Sequence, residues 1–412
     1  MTKKVELLAP AGDLDKLKIA IDYGADAVYL GGEAFGLRTA SKNFPLEDMK
    51  EGVDYAHARG KAVHVTMNII PHEEDLDGLE DYVKDLDRIG IDALIVADPG
   101  IFSLVKKAAP HMEIHMSTQG SITNSATVKF WKDQGASRVV LARELSLKEI
   151  QAIIEDTQGE IEIETFLHGA MCMSYSGRCL LSNYMVNRDA NRGDCSQPCR
   201  YKYYLMEETR PGEYFPIEEN DQGSYILNSK DLCMIEHLDQ LIESGIRSLK
   251  IEGRVKSEYY LATVVRSYRR AIDRYYEDPE AYQFDPKDLE EIKKVSHRDF
   301  TTGFYFGEAK QNGTMDGEVS YLRYYDFVGR VLDYDPETGR VTIQQRNRVF
   351  QGDQVEIFGP QRDHVTVSLE DLKNEEGEPI LSANHPKMIY TATIDKPVEK
   401  GDFVRKKLED EI

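Results

Sequence analysis

A glycine followed closely by a short apolar run recurs along the first two thirds of the chain, and this repeat restricts the possible folds more than any other feature. It reads Gly24-Ala-Asp-Ala-Val-Tyr-Leu, Gly90-Ile-Asp-Ala-Leu-Ile-Val, Gly135-Ala-Ser-Arg-Val-Val-Leu and Gly245-Ile-Arg-Ser-Leu-Lys-Ile. Glycine tolerates the left-handed backbone that ends a helix, and a short apolar run suits a parallel strand covered on both faces. Each unit therefore reads helix, cap, buried strand. Such runs span Leu7–Ala9, Ala27–Leu30, Val63–Asn68, Ala93–Ala97, Glu113–Ser117, Arg138–Ala142, Ile161–Leu167 and Ser248–Ile251. Between them, Asp13, Asp75, Asn124, Ser146 and Ser229 precede amphipathic stretches as helix-start signals. This α/β alternation predicts a (β/α)8 TIM-like barrel over residues 1–280, in preference to the rival doubly wound open sheet.

The last apolar run is followed by SEYYLATVVRSYRRAIDRYYED, read as a closing helix, and then by a polar segment, 281–318, read as a linker or helical stretch. From Val319 the texture changes to short alternating runs, FVGRVLDYD, GRVTIQQRN, DQVEIFGP and MIYTATID, separated by turn residues. Residues 319–412 are therefore expected to form a small all-β, barrel-like domain.

Composition narrows the functional classes. With 412 residues, 41% hydrophobic and 30% charged, the chain can bury a substantial core and is neither a peptide hormone nor a disordered tail. No run of eighteen apolar residues occurs, and MTKKVELLAPAGD enters a strand-like segment without a signal-peptide block, so a cytoplasmic location without membrane contact is expected. Fifty-one basic against seventy-three acidic residues give a net charge of −22, so any nucleic-acid site must be a local basic patch.

In a barrel, function gathers just past the carboxyl ends of the strands. Those positions hold Pro10, Asp13, Gly31, Gly32, Glu33, Asn68, Asp98, Gln119, Arg143, Glu144, His168, Glu252 and Arg254. Asp13 and Asp98 read equally as helix caps or turn residues. Arg143 and Arg254 present permanently charged forks suited to carboxylate or phosphate, the alternative being pairing with Glu144 or Glu252. His168, at a strand end beside a glycine, is a candidate proton donor or ligand, and structural packing is its alternative.

An oversized connection, 169–228, follows the seventh strand and contains Cys172-x6-Cys179-x15-Cys195-x3-Cys199. Interspersed glycine and proline keep it irregular, which lets four sulfurs converge on a metal that compensates their charge. Closed zinc sites use paired knuckles with gaps of two to four, which only the second pair satisfies, whereas an iron–sulfur cluster accepts looser spacing. Both remain open on spacing, as do free cysteines or one nucleophilic cysteine with His168 as base. Cys233, on an expected helix from Asp231 to Ser244, reads as packing or a substitute fourth ligand.

The stretch Glu164-Thr-Phe-Leu-His-Gly-Ala-Met-Cys172-Met-Ser-Tyr-Ser-Gly-Arg-Cys179-Leu-Leu-Ser182 resembles the signature of the collagenase-like U32 peptidase family. The resemblance continues through Leu8-Ala-Pro-Ala-Gly12, Gly24-Ala-Asp-Ala-Val-Tyr29, Asn228-Ser-Lys-Asp-Leu232 and Lys250-Ile-Glu-Gly-Arg254, and so covers essentially the whole chain. With Cys195-Ser-Gln-Pro-Cys199-Arg200 and a C-terminal β domain, the chain is similar to the branch of prephenate-dependent tRNA uridine hydroxylases, which install a hydroxyl on the wobble uridine. The resemblance implies a 4Fe–4S cluster on Cys172, Cys179, Cys195 and Cys199, with zinc as the alternative. Some relatives lack a cysteine at the place of Cys199, but Cys233 does not clearly align with their substitute, which argues for Cys199. No HExxH, GxSxG or aspartic dyad supports proteolysis.

The expected activity is hydroxylation of tRNA, with prephenate held by Arg143 and Arg254, and with His168 and Glu252 as further catalytic candidates. Arg188, Arg192, Arg200 and Lys202 are the candidate RNA contacts. The stripe Arg266, Arg269, Arg270 and Arg274, with Arg330, Arg340, Arg346, Arg348, Tyr324, Tyr325 and Phe327 in the β domain, offers further phosphate or stacking groups, or else a solvated face and core. A metal-dependent collagenase-like peptidase and a non-enzymatic RNA-binding protein with a structural metal are the competing classes. A second U32-family subunit or a homo-oligomer is a further expectation.

Overall fold

The computed structural model describes residues 4–33, 35–36, 43–172, 174–175, 177–200, 204–205, 208–209, 211–212, 215–216, 230–307 and 321–408. Eight parallel strands, β1 (Glu6–Pro10), β2 (Ala27–Gly31), β3 (Ala62–Met67), β4 (Ala93–Val96), β5 (Glu113–Met116), β6 (Arg138–Val140), β7 (Glu162–Ala170) and β8 (Ser248–Ile251), pair in order. The sheet closes because β8 pairs with both β1 and β7, with Ser248 opposite Glu6 and Glu164. The closed barrel expected from the repeat is therefore present, and the open sheet is not.

Helices α1 (Leu14–Asp22), α2 (Leu46–His57), α3 (Leu79–Ile89), α4 (Pro99–Ala108), α5 (Ser125–Gln134) and α6 (Leu147–Asp156) fill the crossovers. Asp13, Asn124 and Ser146 cap α1, α5 and α6 through their side-chain oxygens, as their sequence positions predict. Asp75 does not cap α3. It lies in a single turn, Glu73–Leu76, and α3 starts after the left-handed Gly78, which breaks the expected longer helix. Ser229 lies outside the described residues.

The helix expected from Asp231 to Ser244 is also divided. Asp231–Cys233 form a short strand antiparallel to the end of β7, and the helical turn waits until Leu238–Glu243. Asp231 is drawn into the sheet by Arg298, whose fully buried guanidinium donates to its carboxylate at 2.6 Å. Cys233 is thus a buried strand residue rather than a helical one, and burial pushes its thiol up to about 11. The segment after the long helix Glu258–Glu277 carries a helix, Pro286–Ile292, and a strand, Phe300–Thr301, before residues 308–320, which lie outside the described set.

Strand alternation divides the barrel into two environments. Leu7, Ala9, Val28, Leu30, Val63, Val65, Leu94, Val96, Ile114, Met116, Ile163 and Leu249 pack outward against the helices. The alternating positions face inward, and only Leu8, Ala27, Tyr29 and Ile95 form an apolar cluster there. Most of the remainder is polar: Glu164 accepts from Lys250 at 2.8 Å and from Arg138 at 3.0 Å, and Arg138 also binds Glu6 and Glu162. His64 and His115 meet edge to face at 4.8 Å. Buried charges persist only when paired in this way.

The C-terminal domain is a seven-stranded antiparallel sheet ordered Val365–Ser368, Gln354–Phe358, Phe403–Lys407, Tyr325–Asp335, Arg340–Gln345, Ile389–Thr393, Glu370–Lys373. Its core gathers Val328, Val331, Val341, Ile343, Val355, Ile357 and Val404. Phe358 and Phe403 instead join the barrel's core beside Tyr23, and Arg405, fully buried, binds Glu291 and Glu356. The Glu291–Glu356–His364 acid cluster is thereby saturated by Arg405 and Lys294. No helix among the described residues is long and apolar enough to cross a membrane.

Glu164→Gln should destabilise the chain by about 3 kcal/mol or more, read from urea unfolding, since it strands Lys250 and Arg138. The double change Glu164→Leu with Lys250→Met should be milder than the single one.

Acid should unfold the chain early. Burial holds the His64 and His168 imidazoles down at about 3, and Arg138 brings the Glu6 carboxyl to about 2 against a burial effect that alone would raise it. The unfolded chain binds protons first in each case. Stability should therefore fall from about pH 6.5 downward through the imidazoles, and further below about pH 4.3 through Glu6. Urea midpoints that stay flat from about pH 7 to about pH 5 would contradict this.

Candidate functional site at the barrel mouth

The carboxyl ends of the strands form a polar rim over an aromatic floor. Phe166, on β7, and Tyr29, on β2, point inward, with the Lys250 ammonium 5.7 and 4.4 Å from their ring centres. Arg143 lies over the Phe166 ring at 4.0 Å and donates to the Ala170 carbonyl at 3.0 Å. Its Nε is buried without a hydrogen-bond partner. The guanidinium is thus fixed by stacking and one backbone bond, and no carboxylate among the described residues lies within ion-pair distance of it. Neighbouring Glu144 has its carboxyl raised by burial.

Arg254 is buried and donates to the Thr66 hydroxyl at 3.1 Å. Two glycines from the family-like motifs make room for it. A β-carbon on Gly31 would sit 2.6 Å from Arg254 Nη2, and one on Gly12 would sit 2.3 Å from the Arg254 carbonyl oxygen. Gly169, with φ +111°, has the same relation to the Glu252 carbonyl, 2.5 Å from where its β-carbon would be. Glu252 itself is buried, with its Oε2 3.2 Å from the Tyr29 hydroxyl. Arg143, Glu252 and Arg254 therefore all belong to the mouth, as their strand-end positions predict.

His168 does not reach it. Its ring is buried among Tyr260, Tyr268 and Phe300, and Nδ1 lies 3.3 Å from the Tyr268 hydroxyl. A register shift where β8 meets β7, between Lys250 and Ile251, accompanies this outward placement. With its imidazole held neutral at about 3 by burial, His168 is a packing residue here rather than a proton donor at the rim. Asp98 is likewise a helix cap, accepting from the Ile101 amide.

The cysteine loop leaves β7 at the same end. Gly177, φ +75°, approaches Gln119 so closely that a β-carbon would lie 2.3 Å from Gln119 Oε1, which sets this loop over the end of β5. Its two halves are tied together. Asn191 accepts from the Cys179 amide and donates to the Cys179 carbonyl at 3.2 and 3.0 Å, and the Ser196 amide donates to Ser182 Oγ at 3.0 Å. The Ile70 amide, beyond β3, binds the Asn191 carbonyl. Cys179 is thus drawn towards the segment carrying Cys195 and Cys199, while Cys172 follows directly on β7.

Among the described residues, no three cysteine sulfurs lie within 4.8 Å of one another. A closed tetrahedral zinc site would bring them to about 3.8 Å. A cubane takes one thiolate at each of four separate iron corners and so suits a wider spread. Cys172 and Cys195 are exposed, Cys179 and Cys199 half-buried, and the Gln197 amide donates to Cys195 Sγ at 3.4 Å, a bond of the kind that tunes cluster sulfurs. Thiolates are the donor type that an iron–sulfur cluster uses, and Cys233 is buried against Tyr268.

The expected basic contacts are mostly neutralised. Arg188 binds Asp194, and Arg192 binds Glu74 and Asp75. The side chain of Arg200 and all of Lys202 lie outside the described residues. On the long helix, Arg266 pairs with Glu291, Arg269 with Asp26 and Asp273, Arg270 with Asp363 and Arg274 with Asp288, so each arginine of the stripe is already paired with a carboxylate. In the β domain Arg340 pairs with Asp371 and Arg346 with Glu258, while Arg330 and Arg348 lie near the Phe403 and Phe350 rings. Phe327 stacks on Tyr259 at the domain junction, Tyr325 is half-buried and Tyr324 is exposed.

Sequence inspection of strand ends missed Tyr29, Phe166, Thr66 and Lys250. A period-two reading of the strands would have found them, since His64, Thr66, Glu164 and Lys250 alternate with outward aliphatic residues.

Comparison with known proteins agrees with the motifs. The model of peptidase family U32 matches residues 12–315, and that of the family's C-terminal domain matches 323–405. The chain is 47% identical to tRNA hydroxylation protein P1 of Bacillus subtilis, covering 98% of this chain and 96% of that protein. It is 38% identical to tRNA hydroxylation protein P of Escherichia coli, over 91% and 90% of the two chains. It is also 42% identical to the 23S rRNA 5-hydroxycytidine C2501 synthase of Escherichia coli, over 67% of this chain and 40% of that protein. With both family models spanning the barrel and the β domain, the chain belongs to peptidase family U32.

Proposed function

We propose that this protein is an RNA hydroxylase that converts the wobble uridine of tRNA to 5-hydroxyuridine, taking the hydroxyl from prephenate. The observation that carries the reading is the similarity, across nearly the whole chain, to proteins named for tRNA hydroxylation, joined by a shorter match to one named for an rRNA hydroxycytidine. The mouth is chemically suited to it. Arg143 and Arg254 offer two guanidinium forks to a dicarboxylate, and the Phe166 and Tyr29 rings give its carbocycle an apolar floor. Glu252, held beside the Tyr29 hydroxyl, sits where it can hold or release a proton.

Replacing the uridine C5–H bond by C5–OH oxidises the base by two electrons, so the donor that gives up its hydroxyl takes up that electron pair. Cys172, Cys179, Cys195 and Cys199 would hold a 4Fe–4S cluster beside the mouth. When bound, such a group supplies a Lewis-acidic or electron-exchanging iron. The protein's own contribution is to bind the anion, exclude water with the cysteine loop and orient the two reactants.

Anaerobically purified protein should contain iron and sulfide and absorb in the visible. Cys172→Ser or Cys179→Ser should lose both the chromophore and wobble hydroxylation in a deletion strain. A variant that lacks iron yet restores 5-hydroxyuridine would remove the cluster from the chemistry.

Arg143→Lys keeps the charge but not the fork. It should raise the KM for prephenate about tenfold or more with a smaller effect on kcat, because anion binding is lost in ground and transition states alike. An unchanged KM would exclude Arg143 from donor binding.

A further inference from the structure

The loop that bears the four cysteines also exposes an apolar face that nothing in the described fold covers. Tyr175, Leu180, Tyr184, Met185 and Val186 are 47, 72, 89, 40 and 51% exposed. The short helix Leu181–Val186 is inverted relative to an ordinary surface helix. It buries Ser182, which bonds the Ser196 amide and hydroxyl, and turns Tyr184, Met185 and Val186 outward. Six residues cannot hold a helix by propensity, so the ties to Ser196, and those of Asn191 to Cys179, are what present these side chains.

A charge accompanies the rings. Arg178 is exposed between Tyr175 and Leu180 and makes no side-chain hydrogen bond or ion pair among the described residues, whereas Arg188 and Arg192 of the same loop are paired with acids. In a chain of net charge −22, an exposed guanidinium left without a carboxylate, on a loop that also exposes two tyrosines, is complementary to a phosphate flanked by bases. The face continues into the mouth, since Gly177, next to Arg178, rests on Gln119 at the end of β5.

We propose that this face receives the single-stranded part of an RNA substrate, with Tyr184 and Tyr175 stacking on unpaired bases next to the reacting nucleotide and Arg178 contacting the backbone. The proposal rests on the RNA-hydroxylase reading and names the surface through which that site takes its substrate. A second copy of the chain is the rival occupant. Five side chains on a six-residue helix and its flank fall short of the roughly 800 Å² per partner of a stable protein interface. Two exposed rings on one loop, with an exposed cation between them in the sequence, instead suit bases and a phosphate.

The test measures binding of a fluorescent anticodon stem–loop to the full-length holoprotein, together with wobble hydroxylation. Tyr184→Ala should weaken binding about tenfold and Tyr184→Trp should retain it, since stacking needs a ring and not a hydroxyl. Arg178→Ala should reduce the slope of log Kd against log salt by about one. Iron content and urea stability should stay at wild-type level in all three. Wild-type protein that hydroxylates tRNA, with Tyr184→Ala and Arg178→Ala binding as wild type does, would overturn this proposal alone. Wild-type protein that neither binds nor hydroxylates RNA would overturn the hydroxylase reading and this one together. A dimer that dissociates on Tyr184→Ala while RNA binding is unchanged would assign the face to a second copy and overturn it as well.

Discussion

The Glu164 carboxylate, fully buried between Lys250 of the eighth strand and Arg138 of the sixth, is the interaction on which the barrel depends. Burial alone would raise its pKa, yet the two cations hold it well below the ordinary carboxylate range. The three residues sit on the adjacent strands β6, β7 and β8, and the closed sheet adds Glu6 of β1 as a further carboxylate on Arg138, so the full set of charges is compensated in the closed topology. Glu6 and Glu162 complete the charge balance around Arg138 at the amino-terminal side. A barrel filled with aliphatic side chains would tolerate small changes of register. One filled with paired charges tolerates few, because every slip leaves a charge unmatched.

This polar interior also shapes the mouth. Lys250 is held by Glu164 and lies close to both floor rings, so the position of Phe166 and Tyr29 follows from the ion pair beside them. Arg143 then stacks on Phe166, and Glu252 meets Tyr29. Arg254 is set by what is missing around it, since any side chain at Gly12 or Gly31 would occupy its space. On the flank, Asp231 and Arg298 fasten the segment after the cysteine loop, and Arg405 with Glu291 fastens the β domain through the helix Pro286–Ile292. The site is thus supported by a chain of buried ion pairs, each desolvated and each bonded on more than one side.

How much of this was legible varies with how local the signal is. The glycine-capped strands, the caps at Asp13, Asn124 and Ser146, and the short alternating runs of the C-terminal part are written in a few adjacent residues each, and the fold bears them out. Asp75 and the stretch from Asp231 misled because Gly78 and Arg298 outweigh the local helical pattern. His168 misled for a similar reason. Its place at the end of an apolar run is real, but the register shift opposite it turns the ring to the helices. The arginine stripe on the long helix is amphipathic in sequence, and only the packing of that helix against the helix Pro286–Ile292 and the β domain supplies Glu291, Asp288 and Asp363 as partners.

The sequence alone determined the number of barrel strands, the order of helix and strand, the long crossover after the seventh strand and the thiol spacing within it, because each depends on short-range periodicity or on covalent order. Only the tertiary structure decided which face of each strand turns inward, that the interior is charged, that Arg143 stacks on Phe166, Glu252 meets Tyr29 and Arg254 reaches Thr66, and that Tyr184 and Arg178 are exposed. Those depend on which distant residues become neighbours when the sheet closes, and a side chain's charge or ring has no chemical meaning for a site until its surroundings exist.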